Sequence, residues 1–111
     1  MKHFMKLNPE PFEMIKTGKK SVEMRLYDEK RRLISGGDEI EFANNASGEK
    51  LIARVGNVRF FNDFAQLYAV YLPVSLGYGE NEDASPDDMC KFYSRKDIAK
   101  YGVVAIELIS L

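Results

Sequence analysis

The last stretch of the chain, Val103–Ile109, constrains the fold more than any other segment because it is apolar at almost every position. A strand with one face in water alternates apolar and polar residues, whereas a strand buried on both faces is a nearly continuous apolar run. Within this stretch only Glu107 carries a charge. The sequence therefore predicts that the final strand lies in the middle of a sheet or barrel.

The segments that precede it predict the other strands of that sheet. A short strand is expected at 3–7, another at 21–27, and a hairpin of two strands after the glycine-rich turn at 35–38. In the second hairpin strand the apolar positions change phase at Gly56, which indicates a β-bulge and a curled sheet. We expect an α+β fold, a mostly antiparallel curled β-barrel surrounded by helices, and a single domain over residues 1–111.

Composition limits the classes of function. The single cysteine, Cys90, cannot form an internal disulfide, and no apolar run is long enough to span a membrane, so a cytoplasmic protein is expected. With one cysteine and one histidine, the chain is not expected to assemble a metal site, and no cofactor is predicted. A net charge of −1 argues against bulk electrostatic coating of long nucleic acids.

The strand at 21–27 carries the most unusual pattern, because one of its faces holds a row of polar side chains. Its apolar set is Val22, Met24 and Leu26, and its polar set is Ser21, Glu23, Arg25 and Tyr27. Lys20 enters from the preceding turn, which Gly18 closes as the left-handed residue at a helix end. Residues two apart on a strand face are close enough for a carboxylate and a guanidinium to pair and to meet one ligand. A solvated face with a surface ion pair is the alternative.

Charge is distributed unevenly along the chain. A basic span includes Arg31 and Arg32, while 80–88 is acidic. A basic cluster beside an aromatic residue suits a phosphate or a nucleobase, although ordinary solvated turns would give the same pattern. Asp87 and Asp88 fall in the first turn of a helix capped by Ser85, and we interpret both as structural.

The spacing G-x-K-x-x-E-x-R, formed by Gly18, Lys20, Glu23 and Arg25, resembles the signature of ASCH domains, the activating-signal-cointegrator homology family. The order of the surrounding elements is also similar over essentially the whole chain. The resemblance implies a β-barrel related to the PUA fold, with a cleft whose floor carries the motif side chains. It also implies binding of RNA or of a nucleotide. Some small members are amidohydrolases that remove the acetyl group from N4-acetylcytidine, and nuclease activity has been proposed for others.

Carried over residue by residue, the hydrolase pattern matches this chain in part. Its catalytic lysine falls on Lys20, and its glutamate falls on Glu82, with Glu80 as the alternative. Where those hydrolases have a threonine, this chain has Glu23. Ser21 lies on the same strand face but about 7 Å away, much farther than catalysis tolerates.

Two functional hypotheses follow from these residues. In the first, a binding module, Lys20 and Arg25 hold a phosphate or base edge, Glu23 accepts from an exocyclic amine, and Tyr27 stacks on a base, with Arg31 and Arg32 nearby. In the second, a hydrolase of a small modified nucleoside, Lys20 serves as base or positions water at the cleft mouth, and Glu82 shuttles the proton. Both hypotheses predict that Glu23 and Arg25 form a buried pair.

Overall fold

The computed structural model describes residues 1–109, and its five strands belong to one sheet. The strands are β1 (Lys2–Leu7), β2 (Val22–Leu26), β3 (Glu39–Asn44), β4 (Lys50–Phe61) and β5 (Val103–Ile109). The helices are α1 (Pro9–Lys16), α2 (Phe64–Tyr68) and α3 (Arg95–Tyr101), and 3-10 segments occupy Arg31–Leu33, Pro73–Leu76 and Pro86–Lys91. The sheet order is β1-β3-β4-β5-β2, so β5 has neighbours on both sides, as its apolar run predicts.

The sheet is mixed, since β1 pairs with β3 in parallel and the other three pairings are antiparallel. The register between β4 and β5 shifts between Val55 and Val58, which places the predicted bulge at Gly56. A Cβ added at Gly36 would lie 2.8 Å from the carbonyl oxygen of Gly56, so the turn at 35–38 packs directly against the bulge. A bulge bends its strand and increases the local twist, and the result here is a curled half-barrel.

Each face of the curled sheet covers its own apolar core. Inside the curl, one core contains Phe12, Ile40, Phe42, Val55, Val104 and Ile106, and on the outer face the other contains Val22, Met24, Leu26, Leu67, Val103 and Ala105. Successive residues of β5 therefore enter opposite cores, which is why that strand is apolar throughout. The apolar residues of β2 pack outward, and this leaves its polar residues on the inner side.

The half-barrel has two edge strands, β1 and β2, and side chains bridge the seam between them. Arg25 Nη2 donates to the carbonyl oxygen of Lys6 at 3.1 Å, and Lys30 Nζ donates to that of Phe4 at 3.1 Å. These carbonyls lie on β1, whose backbone pairs with β3 on the other side. Cationic side chains thus take the place of a backbone ladder at the seam, and the space they leave is a cleft.

In the described part of the chain, no helix is long and apolar enough to cross a membrane. Residues 1–109 also contain no group of three or more His, Cys, Asp or Glu side chains arranged to hold a metal ion.

Candidate functional site

A cleft of about 690 Å³ opens at the seam between β1 and β2, and we call it the motif cleft. Its lining comes from the end of β1, the start of α1, the polar side of β2 and the segment 76–93. Lys20, Glu23 and Arg25, three residues of the G-x-K-x-x-E-x-R spacing, all line it. The three charged side chains of the motif therefore lie in one cavity.

The floor of the motif cleft is an ion triad centred on Glu23, which is 3% exposed. Lys20 Nζ lies 3.1 Å from Glu23 Oε1, while Arg25 donates to Glu23 Oε2 through Nη2 at 2.7 Å and through Nε at 3.0 Å. The buried Glu23–Arg25 pair predicted from the sequence is present. Both oxygens of the carboxylate are engaged, so Glu23 holds two cations in place.

Burial and the two cations act in opposite directions on this carboxylate. Burial by itself would raise the pKa of Glu23, but Lys20 and Arg25 together lower that pKa below its ordinary value. Burial would likewise lower the pKa of Arg25, and the Glu23 carboxylate raises it instead. The pair of Glu23 and Arg25 is therefore held in its charged form, and with one carboxylate and two cationic side chains the triad has a formal charge of +1.

Lys20 is held more tightly than the sequence suggests. We expected this residue at the cleft mouth, but its side chain is only 10% exposed. Gly77, with φ of +106°, passes so close that an added Cβ would lie 3.2 Å from Lys20 Cδ. The backbone N–H of Ser21 also donates to the carbonyl oxygen of Ser75 at 3.0 Å. The segment around 75–77 therefore fixes the turn that delivers Lys20 to the triad.

A second polar group in the cleft consists of Tyr68, Tyr78 and Asp88, none of which the sequence analysis identified as functional. The Tyr78 hydroxyl donates to Asp88 Oδ2 at 2.8 Å and lies 2.8 Å from the Tyr68 hydroxyl. Burial is the main cause that raises the pKa of Tyr78, and the hydrogen bonds to these neighbours raise it further. The Tyr78 hydroxyl therefore keeps its proton. As interpreted from the sequence, Asp88 lies in the first turn of a segment capped by Ser85, and it also lines the cleft.

Aromatic side chains complete the wall. Tyr93 lines the cleft and stacks on Phe64, with ring centroids 6.1 Å apart and planes 15° apart. Burial raises the pKa of Tyr93, although the nearby Arg25 guanidinium opposes that increase. Phe92, a large apolar side chain that is mostly exposed, also borders the cleft. Flat apolar surfaces thus lie beside the charged floor.

Several candidates from the sequence do not line the motif cleft. Ser21 is exposed, and its backbone is tied to Ser75 and to the N–H of Leu108. Tyr27 and Arg32 line a separate groove, and Arg31 is ion-paired with Asp28 at 2.8 Å. Tyr27 and the residues after it do not reach the cleft, because β2 ends at Leu26 and the chain turns away there.

The two acidic-loop candidates separate in the structure. Glu82 lines the motif cleft, whereas Glu80 is exposed and does not line it. The Glu82 side chain is itself mostly exposed, and its Oε1 accepts a hydrogen bond from the N–H of Gly79 at 2.6 Å. Of the two, only Glu82 is placed to meet a ligand bound in the cleft.

Comparison with known proteins agrees with this geometry. The family profile described as "ASCH domain" matches residues 5–111. The chain is a member of the ASCH domain family. Its structure is similar to the crystal structure of the hypothetical protein PH0355, with 36% identity, a TM-score of 0.84 and full coverage of both chains. It is also similar to the solution structure of protein PF0455 from Pyrococcus furiosus, with 38% identity, a TM-score of 0.71, and coverage of 100% of this chain and 98% of that one.

A more distant relative shares the ASCH fold. The crystal structure of ASCH from Zymomonas mobilis is 17% identical, with a TM-score of 0.71, and the match covers 98% of this chain and 67% of that chain. A search among curated proteins found no significant match. The sequence signature, the curled sheet and these similarities together establish an ASCH domain with a PUA-like fold.

Proposed function

We propose that this ASCH domain binds a nucleotide or nucleoside in the motif cleft, either free or as part of an RNA, and that it does so as a single cytoplasmic domain. The observation that carries the proposal is the triad on the cleft floor, where two cations share one carboxylate. A buried positive charge is costly unless an anion accompanies it. A phosphate group would supply that anion and could accept charge-assisted hydrogen bonds from Lys20 and Arg25.

The walls of the cleft suit the rest of a nucleotide. Tyr93 and Phe92 offer aromatic surface on which a base can stack. From the sequence we expected Glu23 to accept from an exocyclic amine, but both of its oxygens are occupied by cations. Asp88 is better placed for that role, because its carboxylate lines the cleft and accepts only from Tyr78 within the described residues.

Hydrolysis of a modified nucleoside is the second candidate, and the observation in its favour is that Lys20 and Glu82 line the same cleft. The ammonium group of Lys20 is paired with Glu23 at 3.1 Å, and an ammonium has no lone pair to accept a proton. To act as a base, Lys20 would have to leave its ion pair with Glu23 and first give up a proton. The ribonuclease alternative would use the same cleft. The triad therefore favours binding over catalysis.

The test is calorimetric titration of the protein with nucleoside monophosphates, using Lys20→Gln and the matched control Lys19→Gln. Lys19 is the preceding residue, is exposed and does not line the cleft. Loss of one charged hydrogen bond should weaken binding about 10-fold or more in Lys20→Gln. Lys19→Gln should bind as the wild type does. Equal affinities of the two variants, or no binding of any monophosphate by the wild type, would contradict the proposal.

The catalytic alternatives are tested with the same protein. N4-acetylcytidine is incubated with the wild type and with Glu82→Gln, and acetate release is followed by NMR, while a labelled RNA is followed for cleavage. The binding proposal predicts no turnover of either substrate. Acetate release that depends on Glu82 would establish the hydrolase instead.

A further inference from the structure

A second cavity, separate from the motif cleft, opens beyond the end of β2. We call it the aromatic groove. Its volume is about 950 Å³, larger than the motif cleft, and its lining comes from Tyr27, the end of β4, the start of α2 and the face of α3. None of the proposed roles of the motif cleft uses these residues.

An exposed aromatic ring lines the aromatic groove. Phe60 is 51% exposed, and its ring is tilted 58° against that of Tyr27 with the centroids 5.2 Å apart. A Cβ added at Gly102 would lie 2.5 Å from Phe60 Cε1, so the ring rests directly on that glycine. Two contacts therefore hold a large aromatic side chain in place while half of its surface stays available. Such a ring is a stacking platform for a planar group.

Two cations also line the aromatic groove. The Arg32 guanidinium lies 5.0 Å from the Tyr27 ring centroid, and its Nε donates to the carbonyl oxygen of Tyr27 at 3.1 Å. Lys100 Nζ lies 5.0 Å from the ring centroid of Tyr101. Among residues 1–109, neither cation has a carboxylate within 4.0 Å. Both charges are thus oriented by aromatic rings and remain available to an anion.

The two acidic side chains of the groove each contact a nearby residue of the protein. Asp63 caps α2 by accepting from the N–H of Gln66 at 2.9 Å, and Asp87 pairs with Arg95 at 3.4 Å. With three basic and two acidic residues, the lining carries a formal charge of +1. The groove therefore combines an open aromatic face with two available cations, which is the combination that binds single-stranded nucleic acid.

We propose that the aromatic groove binds a segment of single-stranded nucleic acid, with a base stacked on Phe60 and phosphates contacting Arg32 and Lys100. The inference rests on the proposed function, because it makes the nucleotide in the motif cleft one unit of a longer strand. The two cavities are neighbours, since Tyr93 lines the cleft and its stacking partner Phe64 lines the groove. In this proposal the strand passes over these two rings from the cleft to the groove.

The experiment measures fluorescence anisotropy of a labelled ten-nucleotide oligouridine and of the matching oligothymidine, and in parallel the affinity of uridine monophosphate by calorimetry. The variants are Phe60→Leu and Lys100→Gln, and Lys96→Gln is the control because Lys96 is an exposed residue of α3 outside the groove. Loss of one stacked base should weaken oligonucleotide binding about 5- to 100-fold in Phe60→Leu. Lys100→Gln should reduce the slope of log affinity against log salt by about 0.7.

In both groove variants the affinity for uridine monophosphate should stay at the wild-type value, and Lys96→Gln should match the wild type for every ligand. Unchanged oligonucleotide affinities in Phe60→Leu and Lys100→Gln would overturn the groove proposal. A wild type that binds the monophosphate but no oligonucleotide would overturn it as well. Oligonucleotide binding that needs Phe60, without any monophosphate binding, would refute the cleft proposal and support the groove. If Phe60→Leu fails to fold, Arg32→Gln and Lys100→Gln, both surface changes, decide the matter.

A preference between the two oligonucleotides identifies the sugar that the groove accepts. Equal affinities indicate recognition of bases and phosphates alone, and tighter binding of the RNA indicates a contact to the 2′-hydroxyl. Either result supports the groove as long as the affinity depends on Phe60 and Lys100.

Discussion

Replacement of Glu23 by alanine is the most direct test of the triad. The change removes the only carboxylate that Lys20 and Arg25 contact within 4.0 Å in the described chain. Three contacts disappear, at 3.1, 2.7 and 3.0 Å. Arg25 keeps its hydrogen bond to the carbonyl oxygen of Lys6, but two largely buried cations then face each other without a counterion.

The expected loss of stability follows from these contacts. A hydrogen bond to a charged group contributes about 1.5–3 kcal/mol, so three such contacts set an upper limit of about 5–9 kcal/mol. Solvent admitted by the truncated side chain rehydrates part of both cations, and measured losses for one partner of a buried pair are about 3–5 kcal/mol. We expect Glu23→Ala to lose that amount. With a urea dependence of about 2 kcal/mol per molar, the unfolding midpoint should fall by about 1.5–2.5 M.

The assay is equilibrium urea unfolding followed by circular dichroism, with Glu13→Ala as the control. Glu13 is exposed and lies 3.9 Å from Lys16, so its removal should cost less than about 0.5 kcal/mol. A Glu23→Ala midpoint within about 0.3 M of the wild type would refute the reasoning, because the triad would then be solvated. If Glu23→Ala does not fold, Glu23→Gln keeps the shape of the side chain and removes only its charge.

The same triad predicts a dependence on pH. The pKa of Glu23 is lower in the folded protein than in the unfolded chain, so its stabilising contribution is complete above about pH 4.3, the unfolded value. That contribution is lost as the pH falls below this value. The stability difference between the wild type and Glu23→Gln should therefore be constant from pH 6 to 8 and should shrink between pH 4 and 2. A difference that does not change with pH would contradict the assignment of a lowered pKa.

Three further predictions concern other contacts. Gly77→Ala should cost about 1–2 kcal/mol in urea unfolding and weaken nucleotide binding, because φ is +106° and the new Cβ would press on the cleft lysine. The hydrogen bond to His3 is the main cause that lowers the pKa of Asp38 to about 2, and the Ser35 N–H is the second. Asp38→Asn should therefore be less stable than the wild type at pH 7, and this stability difference should disappear as the pH falls from 4 towards 2. Tyr78→Phe should lower the urea midpoint by about 1 M, since the hydrogen bonds of its hydroxyl to Asp88 and Tyr68 are lost. It should also weaken nucleotide binding in calorimetry, because the Asp88 carboxylate loses the partner that orients it.

The sequence by itself determined that the last strand is central in the sheet and that Glu23 and Arg25 form a buried pair. The apolar run of β5 requires neighbours on both sides, and the alternation in β2 sends Glu23 and Arg25 to the face opposite Val22. Both conclusions follow from the two-residue period of a strand, which is a local property of the chain. The same period makes the buried ion pair predictable, because i and i+2 neighbours on one face must lie close together.

Only the tertiary structure decided which distant residues line the motif cleft beside the triad. Tyr68, Tyr78 and Asp88 meet through α2, a loop and a 3-10 segment, and such irregular backbone has no periodic sequence signal. The same packing separates Tyr27 from Arg25, although both were assigned to one polar face, because the strand ends at Leu26 and the chain turns into a different groove. Strand period fixes the side to which a residue points, but the packing of whole segments determines which cavity it reaches.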